Sequence, residues 1–378
     1  WVHVLSVSSL KGGVGKTTVA LGLASAAFAR GLRTLVVDLD PQCDATTGLG
    51  AIGDFQATTA EVLQRPRHNV VLSAIVASSW GSVRTGHIDV MVGSPRIQAL
   101  DSPQPTMKEV WRLEEALALV DEDYDVVVID TPPSVNGLTR TAWVASDRVL
   151  IVTEPSYFSV VAADRALRSV DDLRKGVTGR LEPIGVLVNR LVPESQEHQY
   201  RVNELKQLFG STLLPVVLEE RAAMQQCQGA ARPIHSWPGE VAAGIADRFD
   251  AILDIVMESF ARGSADVRRA ARKGSKAPKA RRGNRLEAIL RGGKSSGGPI
   301  EELVSDFAAP AASPSQPSSS PEMQPPTDVI PAGTEPVFEE LLKNSDGATR
   351  EAAAASKQEV SDDEFLNAVR SRRRARED

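Results

Sequence analysis

With 378 residues and 42% hydrophobic content, the chain is long enough for one large domain or two ordinary ones with a sizeable core. A formal net charge of −6 argues against a generic nucleic-acid sponge, although it averages over a basic segment and an acidic tail. The two cysteines, Cys43 and Cys227, form no Cys-x-x-Cys pair, so neither a disulfide framework nor a zinc site is expected and a reduced cytosolic setting fits.

No run of about 18 apolar residues predicts a membrane-spanning helix. The opening Trp1-Val2-His3 lacks the charged-then-apolar layout of a signal peptide, and the absent initiator methionine suggests a trimmed or fragmentary start.

The apolar run Val2–Val7 leads into Lys11-Gly12-Gly13-Val14-Gly15-Lys16-Thr17-Thr18, and an alanine- and leucine-rich helical stretch, Val19–Arg30, follows. Strand, glycine-rich loop and helix in that order make a phosphate-binding loop. Its backbone N–H groups wrap the α- and β-phosphates, the lysine before the hydroxyl reaches the terminal phosphates, and the hydroxyl takes Mg²⁺. The competing reading is a plain glycine-rich turn between strand and helix. The general pattern starts with glycine; here Lys11 stands in that place.

The second strand, Thr34–Val37, ends in Asp38-Leu39-Asp40-Pro41-Gln42. Carboxylates two residues apart at a strand end point to the same side, here towards the phosphate loop. Triphosphate hydrolysis needs an oriented water, a metal bridging phosphate oxygens and positive charge where the γ-phosphoryl charge spreads. Asp40 is the candidate for orienting the water and Asp38 for supporting the metal's hydration shell, the alternative being carboxylates that cap the next turn.

Further apolar runs stand at Ile88–Val92, Val126–Ile129, Val149–Val152 and Ile184–Val188, with helical segments at Thr106–Val120 and Ala162–Arg174. Continuous apolar strands alternating with helices predict an α/β fold, a doubly wound, mostly parallel sheet covered on both faces. Ligands in such sheets bind beyond the carboxyl ends of the strands. Asp130, ending Val126–Ile129 and followed by Thr131-Pro132-Pro133, has the form of the second metal-side motif of phosphate-loop enzymes. The metal-side candidates are therefore Thr17, Asp38 and Asp130. A last amphipathic helix, Val241–Phe260, carries Ile245, Phe249, Ile252, Leu253 and Val256 at spacings of three and four, and closes a domain over residues 1–260.

Residues 261–299 read as a basic flexible linker. Between Arg262 and Arg285 ten basic residues stand against the single acidic Asp266, enough to contact DNA phosphates without sequence preference or simply to solubilise the chain. Residues 300–378 read as a disordered tail, because eight prolines between Pro310 and Pro336 sit among serine, alanine and glutamine and such a composition buries too little surface to fold. Short amphipathic islands at Leu286–Leu290, Val337–Leu342 and Ser361–Val369 are either partner-docking helices or transient ones.

The three motifs, Lys11 to Thr18, Asp38 to Gln42 and Asp130 to Pro133, resemble those of the ParA/MinD family of deviant phosphate-loop ATPases, and within it the ParA (Soj) branch that moves plasmids and chromosomes. The resemblance covers about residues 1–260. It implies a dimer sandwiching two ATP molecules with Mg²⁺, in which Lys11 reaches the partner's nucleotide while Lys16 and Thr17 serve their own. It also implies that Asp40 positions the attacking water and that Asn189 reads the adenine. The family usually has Gly-Asn after Asp-Pro-Gln, where this chain has Cys43-Asp44, with Cys43 read as a small apolar filler. Where the family carries a compact basic segment, this chain reads Glu219-Glu220-Arg221 with Arg232 further on, so Arg221 and Arg232 are candidate DNA contacts beside Arg268, Arg269, Arg272 and Lys273 of the basic stretch.

The function this implies is a slow, partner-stimulated ATPase, cytoplasmic and nucleoid-associated. It would bind DNA non-specifically in its ATP state and segregate a chromosome or plasmid with a ParB-like protein. The competing readings are a MinD-like ATPase cycling on a membrane through an amphipathic C-terminal helix and a switch that binds ATP and hardly hydrolyses it. A relative of the nitrogenase iron protein would need paired cysteines to hold a bridging cluster, which Cys43 and Cys227 do not supply.

Overall fold

A computed structural model describes residues 2–83 and 86–272 of the chain, with side chains over 2–81, 86–262. Its strands are β1 (His3–Ser8), β2 (Thr34–Asp38), β3 (Ile75–Val83), β4 (Gly86–Met91), β5 (Val126–Asp130), β6 (Arg148–Thr153), β7 (Glu182–Leu191) and β8 (Leu213–Glu219). The helices are α1 (Lys16–Ala29), α2 (Asp44–Gly48), α3 (Thr59–Gln64), α4 (His68–Ala74), α5 (Met107–Val110), α6 (Arg112–Leu117), α7 (Gly137–Ala145), α8 (Tyr157–Gly176), α9 (Gln196–Phe209), α10 (Ala222–Gly229) and α11 (Glu240–Arg272).

All eight strands join one sheet in the order β3-β4-β2-β5-β1-β6-β7-β8, parallel throughout except where β3 runs antiparallel to β4. The apolar runs of the sequence predict β1, β2, β4, β5, β6 and β7 but neither edge strand. Edge strand β8 contains Pro215, which breaks a strand pattern yet is tolerated at an edge, where one side of the backbone needs no partner. Edge strand β3 reads Ile-Val-Ala-Ser-Ser-Trp-Gly-Ser-Val, too polar to signal a buried strand.

Successive residues of the central strands feed opposite layers. Leu5, Val7, Val126, Val128, Leu150 and Val152 pack with α1 and α11. Their neighbours Val4, Leu35, Val37, Val127 and Ile129 pack with α3, α6 and α7. This strict alternation explains why the strands read as unbroken apolar runs, since both faces are covered. The chain leaves β1 towards β2, returns to place β5 between them, and then sets β6 on the far side of β1. The winding thus reverses at β1, and the crevice beyond its carboxyl end is where such folds receive ligands.

The last helix runs to Arg272, past the expected end at Phe260. Arg268, Arg269 and Arg272 therefore continue a helix, whereas a linker was expected from residue 261. Alanine and arginine are strong helix formers and outweigh the lone Gly263, and further glycine and proline come only from Gly274 onward. Lys273, the rest of the basic stretch and the three tail islands lie outside the described residues. Among the described residues, no helix is long and apolar enough to cross a membrane.

Candidate functional site

The loop between β1 and α1 is shaped by glycine where no other residue fits. Gly13 and Gly15 have φ of +80° and +86°, and a Cβ at Gly15 would stand 2.3 Å from the Asn189 amide nitrogen. Val14 is fully buried in the core below, which pins the loop to the domain. Gly15 caps α1 without a side chain, and the first turn of α1 carries no acidic residue. The orphan N–H groups and the positive end of the helix dipole are thus left to an anion. Lys16, only 6% exposed, opens the same turn.

Beside it, the Thr17 hydroxyl donates to Asp130 Oδ2 at 2.6 Å. Asp130 ends β5 fully buried, and its other oxygen, Oδ1, has no hydrogen-bond partner. Burial and the nearby Asp38 charge push the Asp130 carboxyl up to about 8, against the pull of Thr17 and Lys16. A buried acceptor left without a donor, next to a hydroxyl oxygen, fits a hard divalent cation. Among the described residues no group of three or more His, Cys, Asp or Glu gathers to form a metal cage. Mg²⁺ on Thr17 and Asp130 would complete its shell with phosphate oxygens and water, as this ion prefers.

Asp38 and Asp40 are both brought to this crevice, with different surroundings. The Asp38 carboxylate accepts from the Thr46 N–H at 2.8 Å and hydroxyl at 2.7 Å on one oxygen, and from the Asp40 N–H at 3.2 Å on the other. Burial pushes it up to about 6 in spite of those bonds. Its partners lie on the loop after β2 and in α2, so Asp38 fixes the backbone that carries Asp40. Asp40 is 8% exposed and accepts from the Gln42 N–H at 3.1 Å. Cys43, at the position where glycine was expected, has a left-handed φ of +57°, the conformation glycine would supply. Burial and the carboxylates of Asp38, Asp40 and Asp44 push its thiol up to about 11, so it is not a reactive thiolate at neutral pH.

The Lys11 ammonium lies 2.5 Å from Glu154 Oε1 and 3.1 Å from the Ser156 hydroxyl, both just past β6. Burial would raise Glu154, but the Lys11 hydrogen bond and charge overcome it and hold the carboxyl below its ordinary range. At the end of β7, Asn189 is 4% exposed and gives its amide N–H to the Val14 carbonyl at 2.8 Å. The next residue, Arg190, donates to the Gly13 carbonyl at 2.6 Å and to Glu220 at 3.1 Å. Thr18 receives the Gln228 amide at 3.1 Å. A cleft of about 360 Å³ opens beside Thr18 and Asn189, between the end of β8 and α11, floored by Leu218, Met224 and Phe249.

No motif in the sequence marks Glu154, Ser156, Arg190 or Gln228. The first three sit at carboxyl ends of strands, a position that marks them as candidates once the strands are known; nothing in the sequence points to Gln228. Of the candidate DNA contacts, Arg221 is exposed but ion-paired with Glu219, which also holds Arg248 at 2.8 Å. The exposed Arg232 lies over the Trp237 ring, 5.9 Å from its centre. Arg221 also lines the cleft beside Thr18 and Asn189.

A family model described as an AAA domain matches residues 2–182. The chain is 27% identical to the chromosome partitioning protein ParA of Myxococcus xanthus, over 61% of this chain and 80% of that protein. It is 29% identical to the sporulation initiation inhibitor protein Soj of Bacillus subtilis, over 61% of this chain and 89% of that one. Among solved structures, a McdA–ATP complex from Cyanothece superposes with a TM-score of 0.58 at 20% identity, covering 68% of this chain and 96% of the other. Cobyrinic acid a,c-diamide synthase from Mycobacterium smegmatis with bound ADP and magnesium gives 0.52 at 24% identity, covering 61% and 93%. At such identities the structural likeness establishes the fold.

Proposed function

We propose that this chain, which belongs to the ParA/MinD family on its ParA (Soj) branch, is an ATPase that dimerises around ATP and Mg²⁺, binds DNA without sequence preference in that state, and segregates a chromosome or plasmid with a ParB-like stimulator. The observation that carries the ATPase reading is the partnerless Asp130 Oδ1 beside the Thr17 hydroxyl, one residue from Lys16 at the mouth of the phosphate loop. Thr17 and Asp130 would hold a divalent cation beside the phosphates that the loop N–H groups and Lys16 bind, and when bound it would supply positive charge for phosphoryl transfer. Asp40, held by the Asp38-anchored loop, orients the attacking water.

Lys11 supports slow turnover in an isolated chain. Its ammonium is occupied by Glu154 and Ser156, so it serves a partner's nucleotide only after leaving them. Tyr157 and Phe158, 54% and 75% exposed directly after Ser156, give the same edge the apolar surface that a second copy would cover. The DNA role draws on Arg268, Arg269 and Arg272 of α11, with Lys273 beyond and Arg221 and Arg232 on the domain. A protein of this kind works in the cytoplasm on the nucleoid.

Lys16→Ala tests the reading. It should abolish ATP binding, hydrolysis and ATP-dependent DNA binding together. A variant that binds DNA as tightly as the parent at equal salt overturns nucleotide-gated binding.

A further inference from the structure

Asp40 stands on a loop between β2 and α2, so whatever fixes that loop fixes the direction of its carboxylate. Both peptide planes of Asp40 are held. Its N–H donates to Asp38 Oδ1 at 3.2 Å, and its carbonyl accepts the Cys43 N–H at 2.9 Å. The loop runs straight into α2, which has five residues and is too short to be stable alone. The residue at its N-cap, Cys43, makes no side-chain cap bond. Asp38 supplies that bond from the end of β2, because its Oδ2 accepts the Thr46 N–H at 2.8 Å.

The Thr46 hydroxyl completes the arrangement. The Gly93 N–H, just past β4, stands 2.9 Å from the hydroxyl oxygen and can only donate to it. The hydroxyl proton is thereby directed to Asp38 Oδ2, 2.7 Å away. Thr46 and Asp38 are both buried, which shields these bonds from water. Gly93 packs against the same carboxylate. A Cβ there would stand 2.8 Å from Asp38 Cγ and 2.9 Å from Oδ2, so only glycine allows the close approach. The far end of α2 is pinned as well, where the Leu49 carbonyl accepts the Ser78 hydroxyl at 2.7 Å and the Ser79 N–H at 2.9 Å.

We propose that Thr46 and Gly93 are positioning residues for ATP hydrolysis: they set the Asp38 carboxylate, and through it the Asp40 backbone, so that the Asp40 carboxylate meets the attacking water. The inference rests on the ATPase reading above and on the role given there to Asp40. The side-chain hydrogen bonds of Thr46 run to the ends of β2 and β4 and not to the phosphate loop. Turnover and nucleotide affinity should therefore separate. A shift of about 1 Å in a reacting group costs on the order of 100-fold in rate, so a loop held by these few bonds governs turnover without touching the nucleotide.

The test uses the full chain with ATP and Mg²⁺, and Thr46→Val, which keeps the branched shape of the side chain and removes its hydroxyl. Turnover at saturating ATP should fall about tenfold or more, while the Kd for ATP, read by calorimetry, stays within about a factor of three. Thr46→Ser, which keeps the hydroxyl, should recover most of the turnover. Gly93→Ala, whose Cβ displaces the same carboxylate, should repeat the loss; if a thermal melt shows that it does not fold, Thr46→Val decides alone. Two readouts separate positioning from general damage. In an Asp40→Ala background Thr46→Val should cost little further turnover, because both act through one group. Without nucleotide, Thr46→Val should speed amide exchange over residues 38–47 about tenfold and leave the central strands unchanged. Parental turnover in Thr46→Val overturns the proposal, as does a Kd that weakens in step with turnover. So does a loss as large in the Asp40→Ala background as in the parent. A parent chain that neither binds nor hydrolyses ATP refutes the ATPase reading itself, a result distinct from these.

Discussion

Lys11 stands where the general phosphate loop has glycine, and its surroundings decide what that substitution does. In one chain its ammonium is shared by Glu154 and Ser156, not by its own loop. Lys11→Ala should therefore leave ATP affinity within about a factor of two to three, roughly 0.5 kcal/mol, while abolishing ATP-dependent dimerisation and hydrolysis. Gel filtration with ATP and a phosphate-release assay check both, and a variant that still dimerises with ATP refutes the assignment. Asp40→Ala should keep nucleotide binding and lower hydrolysis on the order of 100-fold or more, the scale of a lost water-orienting group. Its ATP-trapped form is the bait with which to test for the proposed ParB-like partner. Chelating divalent cations should stop hydrolysis in the parent, because Thr17 and Asp130 offer only two protein oxygens and no cage that would retain the ion.

At the scale of elements, two contacts hold α1, the helix that carries Lys16 and Thr17. Gly22 faces the ring of Phe249 on α11, and a Cβ there would stand 2.1 Å from the ring. Gly22→Ala should destabilise by about 1–3 kcal/mol through overpacking, read as a lower melting temperature, and unchanged stability would mean that α11 shifts freely. The second contact joins the Ser25 hydroxyl to His235 Nδ1 at 2.7 Å. His235 faces Asp250 and Asp247 of α11 and Arg30 at the end of α1, and burial holds its pKa below the ordinary histidine value. A depressed histidine favours the folded state fully above its unfolded pKa of about 6.5. That contribution is lost as pH falls below it, because unfolding then gains a proton. Melting temperatures of the parent should thus fall between about pH 7 and pH 5 more steeply than those of His235→Gln; parallel curves would remove His235 from the account.

At the scale of the whole molecule, the proposed DNA binding could rest on the folded domain or on the basic stretch that follows it. The helix α11 continues through the first basic residues of that stretch, to Arg272. A chain ending at residue 272 and one ending at residue 260 separate the contributions. If the basic stretch makes the contacts, each phosphate contact removed should lower the slope of log affinity against log salt by about 0.9. Identical affinity and slope in both chains and the parent would move DNA binding onto Arg221 and Arg232.

The order of strands and motifs was legible in the sequence because each central strand is buried on both faces and each ends in the polar residues of the crevice. Val126–Ile129 followed by Asp130, or Val2–Val7 followed by Lys11 to Lys16, carries its position in its own composition. The edge strands were not legible, since β3 and β8 need satisfy only one neighbour and tolerate serine, glycine and proline. So the sequence by itself determined the phosphate loop, its two carboxylate-bearing strand ends and the α/β class, all of them local patterns. Only the tertiary structure decided that Lys11 rests on Glu154, 143 residues away, that Asp38 holds Thr46 and Asp40, and that Asn189 and Arg190 grip the loop across 175 and 177 residues. Such contacts depend on which strand ends the winding of the sheet makes neighbours, and no local pattern records that.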